Sequence, residues 1–438
     1  MSADPAEQEN YSLDEMMDRL QKRESTPEDS GQLVTRADGT QAIKVRKRKR
    51  RSTQPHKEAA KRATRLRAIQ LSSAFVLLLL LLLAAGAIIV YANSPGYRKG
   101  VTGKIDSASG GKVTLQQFRV NPTGSNTAAA DFQWPAGNAL ETLRLNSIRT
   151  KSLMTSLIGK TWAAGDISAL TGSLTIKQPK PGEPLRFQPA PGEDMPVSFE
   201  RLGVAKMDFT VGNPAAPALK LQQSEASFYP KSASGDSTLR LSRGTVTIPT
   251  WPLFQLDRAL LEFRGSEVVV SNARILHEVD PIGHIELSGT INAESISTEQ
   301  SLAVSMESFS LNGIAGQSLG LLINGRVDSI DARSTNQLTF STDDPTGRLS
   351  VALSSSANSA PRINRFSFLP ILSKILINHW YNEPSFEEGM TCTLIREKGR
   401  IRLTDLSLTS KTQLRITGEL NAGTDESLSG TLRVGLPD

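Results

Sequence analysis

The strongest hydrophobic signal in the chain is the absence of charge across residues 69–92, which read AFVLLLLLLLAAGAIIVYA from residue 74 onward. An apolar run of about 20 residues matches the hydrocarbon core of a bilayer. A cleaved signal peptide is the competing interpretation, but its apolar region is only about 7–15 residues long and lies near the start of a chain. The pattern therefore predicts an uncleaved transmembrane helix over residues 69–92.

Beyond Pro95 the apolar residues alternate with polar ones, which is typical of β-strands that bury one face. Turn-prone pieces such as Ser109-Gly110-Gly111 separate the alternating runs. This spacing predicts an antiparallel, mainly β architecture. The clearest runs are Leu239/Leu241, Val268/Val270, Ile285/Leu287, Leu302/Val304/Met306, Leu349/Val351/Leu353 and Leu406/Leu408.

A short motif recurs after the apolar run: aliphatic, polar, glycine, polar, aliphatic. In a strand its first, third and fifth residues share a face, so the glycine lies in the middle of the apolar face. Glycine there usually marks a bend, a bulge or a close approach of another backbone. The recurrence predicts a strongly curved sheet. The six copies are VTGKI (101–105), LTGSL (170–174), LSGTI (287–291), INGRV (323–327), ITGEL (416–420) and LSGTL (428–432).

Two segments show helical spacing instead. Residues 151–160 carry apolar side chains on one side, and residues 369–380 begin with Pro370 in the first helical turn. Three placements are open for the second helix: the end of a hydrophobic groove, a membrane surface, or the sheet itself. Its apolar face consists of Ile371, Leu372, Ile375, Leu376 and His379.

The charge of the chain is concentrated beside the apolar run. The formal net charge is +6, yet residues 1–43 carry −6, residues 44–67 carry +11 and the remainder carries +1. Basic residues beside a membrane span determine its orientation and contact anionic lipid headgroups. No Phe, Tyr or Trp interleaves them, which disfavours nucleic-acid binding. The residues assigned to this role are Lys44, Arg46, Lys47, Arg48, Lys49, Arg50, Arg51, Arg62, Arg65 and Arg67.

This asymmetry predicts the topology. Few basic residues follow the span, so the N-terminus is cytoplasmic and the chain from about residue 93 is exported. In a bacterium this gives a single-pass inner-membrane protein with most of its residues in the periplasm. Residues 1–68 are polar and poor in aromatics, which predicts a disordered tail. Within it, Ser12-Leu-Asp-Glu15 is a capping box that starts either a docking helix for a cytoplasmic partner or a transient helix without one.

Candidate catalytic chemistry is weak. Residues 316–320 match G-x-S-x-G around Ser318, but the expected strand–turn–helix context of a nucleophile is missing. His277 and His284 do not have the spacing of a zinc-binding helix. Cys392, the single cysteine, alternates with apolar residues as a small core side chain. We therefore predict a protein that is not an enzyme, with no cofactor and no metal site.

Three stretches, residues 143–176, 256–311 and 400–436, resemble the AsmA-like family of AsmA-, TamB- and YhdP-type envelope proteins. The first reads as a strand, a short helix and two strands, the second as paired strands that lead into the glycine-centred GHIELSGTIN, and the third as closing strands that contain LRITGEL and LSGTLRVGL. The resemblance implies an elongated, curved antiparallel β-sheet with an apolar groove. It also implies an exported AsmA-like region over residues 93–360, followed by a C-terminal helix and closing strands over residues 361–438.

The function implied by the resemblance is to bind or conduct phospholipids in envelope and outer-membrane biogenesis, without catalysis. The partners are then the lipid bilayer, phospholipid acyl chains and an envelope protein. The alternative is a non-enzymatic, membrane-anchored scaffold or assembly factor of an envelope complex. The candidate groove residues are Leu241, Val268, Val270, Ile285, Leu287, Val304, Met306, Leu403, Ile416 and Leu432, and the candidate groove-capping helix presents Ile371, Leu372, Ile375 and Leu376.

Overall fold

The computed structural model describes residues 32–35, 37–44, 54–151, 161–178, 197–230, 236–292, 299–330, 335–341, 344–357, 359–364 and 366–436. Strands make up 57% and helices 18% of it, and most strands form one large curved mixed sheet. This confirms the predicted mainly β class. The chain divides into two compact units, Met1–Leu82 and Leu83–Asp438.

The first unit contains a hairpin and most of a long helix. Strands β1 (Gln32–Thr35) and β2 (Gln41–Lys44) pair antiparallel. Their turn is an Asp-Gly turn in which Gly39 has φ 85° and Asp38 accepts a hydrogen bond of 2.7 Å from the hydroxyl of Thr40. Helix α1 (Gln54–Ala92) follows.

These elements differ from the disorder predicted for residues 1–68. The hairpin forms because Asp38-Gly39 is a strong turn signal, and α1 begins early because Pro55 suits a first helical turn and Ala, Arg and Lys favour helix. The docking-helix prediction at Ser12 and the basic residues 46–51 lie outside the described residues. Arg62, Arg65 and Arg67 lie within α1.

The apolar end of α1 is the candidate membrane span. Residues Ser72–Ala92 have a mean hydropathy of 2.9, and their most apolar window is not buried by protein. The helix is long and apolar enough to cross a membrane, which agrees with the predicted span over residues 69–92.

Helix α2 (Pro95–Ser109) begins after a short break. The side-chain oxygen of Ser94 accepts a hydrogen bond of 3.3 Å from the backbone N–H of Tyr97, and the helix ends at Gly110 with a left-handed φ of 67°. The VTGKI motif lies inside this helix, so the strand predicted for that copy is wrong. The Ser-Pro start and the Gly-Gly stop around it favour a helix over the short alternating pattern.

The large sheet is formed by strands whose bounds follow the chain. The first group is β3 (Lys112–Gln116), β4 (Arg119–Asn121), β5 (Gly124–Gln133), β6 (Leu140–Thr150), β7 (Trp162–Ile176), β8 (Val197–Asn213), β9 (Ala216–Tyr229), β10 (Ser237–Ser242), β11 (Thr245–Thr247), β12 (Phe254–Arg264), β13 (Glu267–His277) and β14 (His284–Asn292). The second group is β15 (Gln300–Glu307), β16 (Phe309–Ser310), β17 (Ile323–Asn324), β18 (Arg326–Ser329), β19 (Gln337–Phe340), β20 (Arg348–Ser355), β21 (Arg362–Ile363), β22 (Met390–Glu397), β23 (Arg400–Ser410), β24 (Leu414–Ala422) and β25 (Leu428–Gly435). Of these, β17 and β21 pair only with each other.

Neighbours in the chain are mostly neighbours in the sheet. The order is β3 and β4 against β5, then β6 to β9, β10 with β11, β12 to β14, β15 with β16, β18 with β19, β20, and β22 to β25. The β7–β8 ladder is parallel and the others are antiparallel, so the sheet is mixed rather than purely antiparallel.

The ladders close only a local ring. It forms because β10 and β11 are consecutive parts of one strand position, and each pairs with both β9 and β12. Within the described residues, no ladder joins β25 to β3 or β4. The sheet therefore has two edges, one at β3 and β4 and the other at β25.

The curvature of the sheet arises at a line of irregular pairing that crosses neighbouring strands, which we call the crease. The register shifts between residues 204 and 207 of β8 and between residues 270 and 273 of β13. In between, Gln223 and Arg243 have φ of 56° and 59°. Such bulges bend a strand and increase its twist. They account for curvature that the sequence assigned to glycines.

Three short helices lie among the later strands. Helix α3 (Leu311–Leu322) is kinked at Gly316, which has φ 74° and ψ 173°. Helix α4 (Leu369–Ile375) is followed by a 3-10 helix (His379–Asn382), so the helix predicted over residues 369–380 is present in two shorter pieces. Of the other predicted helix, residues 152–160 lie outside the described residues.

Candidate functional site

An uninterrupted apolar row crosses the first half of the sheet along the hydrogen-bond direction. Each pair of neighbours is opposed in its ladder, so the side chains project from the same face. We call this the first apolar row. It consists of Val113, Phe132, Leu143, Leu174, Phe209, Leu221, Val246 and Phe254, one each from β3, β5, β6, β7, β8, β9, β11 and β12.

A second apolar row runs across β8 to β15. It lies on the other side of the crease from the first row, and its members are again directly opposed in their ladders. It includes three of the predicted groove residues, Leu241, Leu287 and Val304. In full it is Val204, Ala226, Leu241, Ala259, Ala273, Leu287 and Val304.

The structure places the predicted groove residues mainly in the protein core. Val268, Leu287 and Leu432 are half-buried. Apart from Val268, all of them belong to or pack against one apolar cluster. The fully buried members are Leu241, Val270, Ile285, Val304, Met306, Leu403 and Ile416.

The two halves of the apolar face are covered to different extents. Around β20 to β24, helix α3 lies against the sheet, and Ile314, Leu319 and Leu403 are all 0% exposed. In the first apolar row, by contrast, Phe132, Leu143 and Leu174 are only half-buried. The second half is thus a filled core, which places Leu403 and Ile416 in a closed region. Space for an apolar ligand is confined to the first half.

A buried arginine fastens this closed half. Arg396 on β22 is 5% exposed, and its guanidinium donates a hydrogen bond of 2.9 Å to the carbonyl oxygen of Ile314 and another to that of Thr250. It also lies 5.0 Å from the ring centroid of Trp251, whose indole N–H donates to the carbonyl of Thr346 at 2.9 Å. Burial lowers the pKa of Arg396 to about 10. One side chain therefore joins β22, α3 and the loop before β12.

The sequence reading missed Arg396, although the signal was present. The residue follows Met390, Cys392 and Leu394 in strict alternation, and these three are buried. The period of a strand therefore places Arg396 inside as well. Its charge argued for the outside, and the contact that holds it inside comes from residues far away in the chain.

The groove-capping prediction for α4 is contradicted for most of its residues. Ile371, Ile375 and Leu376 are 57%, 68% and 42% exposed, and the buried residues of α4 are Leu369 and Ser373. Leu372 alone of the four predicted residues packs against the core. The helix is short and ends before a full apolar face can form, so its apolar side chains face outward.

The structure assembles no catalytic group among the described residues. Ser318 lies inside α3, and its hydroxyl is 3.5 Å from a carboxylate oxygen of Glu426, with no histidine among its hydrogen-bond partners in this part of the chain. His284 is buried between Glu286 and Glu307, at 3.6 Å and 3.5 Å. Over the same residues, no group of His, Cys, Asp and Glu is arranged to hold a metal ion.

Cys392 is expected to resist thiol reagents in the folded protein. Burial raises the pKa of its thiol to about 12, so at neutral pH the reactive thiolate is scarce as well as inaccessible. Labelling with a maleimide should be slow in native buffer and complete in urea, as measured by intact mass. Rapid native labelling would show that the β20–β22 face opens.

Comparison with known proteins gives no match. No family model, no curated protein and no solved structure is significantly similar to this chain. The functional argument therefore rests on its own residues.

Proposed function

We propose that the protein is a membrane-anchored, non-catalytic lipid-binding protein whose first and second apolar rows hold phospholipid acyl chains. The observation that supports it most directly is the first apolar row. Eight consecutive apolar side chains, from Val113 to Phe254, follow one another without a polar interruption.

The physical fit is between an extended chain and an extended surface. Neighbouring strands are about 4.8 Å apart, so the row offers aliphatic contacts at regular intervals over several strands. Burying a methylene group gains about 0.8 kcal/mol, and the gain needs no directional contact. A row of Leu, Val and Phe therefore suits acyl chains of varying length and saturation.

The filled second half limits what such a surface can do. Helix α3 and Arg396 occupy the space that a continuous conduit would need. We therefore favour a lipid-holding cavity that ends near β14 over a channel running along the whole sheet.

The proposed location follows from the charge on either side of the span. With the basic block on the cytoplasmic side, the sheet would lie in the periplasm of a bacterium, anchored in the inner membrane by Ser72–Ala92. The acyl chains would then come from a bilayer that the protein already touches.

Site-specific photo-crosslinking in cells producing the full chain tests the proposal. A photoreactive amino acid at Leu174, on the first apolar row, is expected to give phospholipid adducts that mass spectrometry of the labelled peptide detects. Leu170 is the matched control, because it is a leucine on the same strand that lies at the crease and is 58% exposed.

A second control separates a cavity from a closed core. The same label at Leu403, which is 0% exposed beside the filled half, is expected to give no lipid adduct. Adducts at Leu170 equal to those at Leu174, or none at Leu174 in a folded protein, would contradict the proposal.

A further inference from the structure

The edge of the sheet at β3 and β4 is closed by the segment that leaves the membrane helix. The side-chain amide of Asn93 donates to the carbonyl of Val120 at 3.0 Å and accepts from its N–H at 2.9 Å. The carboxylate of Asp106 accepts from the N–H of Val113 at 2.7 Å. These side chains supply hydrogen bonds that a further strand would otherwise make, so this edge is protected against strand addition.

The other edge, strand β25, has no such cover among the described residues. It pairs with β24 on one side, where Leu420 opposes Gly430 and Ile416 opposes Val434. Leu428 and Val434, on the face that continues the apolar cluster, are still 40% and 41% exposed. An unpaired strand with exposed apolar side chains is a template for another strand.

We propose that β25 pairs antiparallel with β25 of a second copy of this chain, joining two sheets edge to edge. This interaction is independent of the proposed lipid binding. Pairing centred on Thr431 keeps every opposed pair within the strand and on one face. Leu428 then opposes Val434, and Gly430 opposes Leu432, so apolar side chains meet across the two-fold axis.

The charges of β25 also fit a second copy. Arg433 is the strand's one charged residue, and the register centred on Thr431 places it opposite Ser429 rather than opposite itself. Repulsion between like charges across the pair is therefore avoided. Because the edge at β3 and β4 is closed, a third copy cannot add there, and the assembly stops at a symmetric dimer.

Disulfide crosslinking of the full chain in detergent or nanodiscs tests this register. On the two-fold axis, Thr431→Cys faces its own copy and is expected to form a covalent dimer on mild oxidation. Ser429→Cys alone and Arg433→Cys alone should not, because each lies about 14 Å from its own copy. A mixture of these two variants should crosslink. Thr114→Cys, exposed on the closed edge, is the control.

A second measurement does not depend on introduced thiols. Val434→Lys adds an inward-pointing charge to the edge and is expected to convert the dimer to a monomer in mass photometry without a change in melting temperature. The proposal is overturned by a wild-type monomer at micromolar concentration, by a dimer that Val434→Lys leaves intact, by equal crosslinking at all positions, or by Thr431→Cys linking only to a different protein.

Discussion

Replacement of Arg396 by methionine is expected to lower the free energy of unfolding by about 3 kcal/mol. Methionine fills much of the same volume but donates no hydrogen bond. The carbonyl oxygens of Ile314 and Thr250 would then be left inside the protein without the partner that they have now. A buried acceptor without a partner costs about 1–3 kcal/mol, and the cation–π contact with Trp251 is lost in addition.

The kink in α3 explains why this loss is not easily repaired. Gly316 breaks the helical hydrogen-bond pattern just after Ile314, so the helix cannot supply a replacement donor by a small adjustment. Thr250 has a left-handed φ of 67°, which is unfavourable for a β-branched residue and is held by its surroundings. Both carbonyl groups therefore depend on the guanidinium.

Urea unfolding of the full chain, followed by tryptophan fluorescence, measures the effect. The control is Arg402→Met, an exposed arginine on the adjacent strand β23, which should shift stability by no more than about 0.5 kcal/mol. Arg396→Lys should fall between the two, because one ammonium group does not reproduce the fork of a guanidinium. Equal midpoints for Arg396→Met and wild type would show that the contact does not stabilise the fold.

The sequence predicted those features that depend on local pattern. Apolar length alone identified the span that ends at Ala92, and period-two alternation identified the strands around Leu241, Val304 and Leu403. Binary pattern carries this information because each strand must bury one face wherever it lies in the sheet.

Features that depend on distant contacts were not predictable in this way. Whether Leu403 lines an open groove or a filled core is decided by α3, and nothing near Leu403 in the sequence signals that. The outward-facing apolar residues of α4 likewise follow from where the chain turns after Ile375. The parallel β7–β8 ladder has the same origin, since alternation does not encode strand direction.

The glycine motif is the clearest instance of one pattern with two structural meanings. VTGKI and ITGEL have the same form, but Gly103 lies in α2 and Gly418 lies in β24. A Cβ built on Gly103 has no atom within 4 Å. A Cβ on Gly418, which has φ 146°, would overlap the carbonyl oxygen of Thr431 and lie 3.0 Å from the Cα of Leu432. The same substitution should therefore have opposite effects.

Gly418→Ala is expected to destabilise the protein by about 3 kcal/mol, whereas Gly103→Ala should stabilise it by about 0.5–1 kcal/mol. In β24 the new methyl group meets backbone of β25, which cannot move without breaking the ladder. In α2 the exposed alanine reduces the entropy of the unfolded chain and favours helix.

Gly435→Ala, where the nearest atom to a new Cβ is 3.9 Å away, is the control for a strand glycine and should have little effect. Melting temperatures of the three variants give the comparison directly. A Gly418→Ala protein as stable as wild type would mean that β25 is not held against β24 in this register. The dimer proposed through β25 would then lose its structural basis as well, since its register is set by the same ladder. Loss of stability at Gly418 with none at Gly435 is the result that supports both.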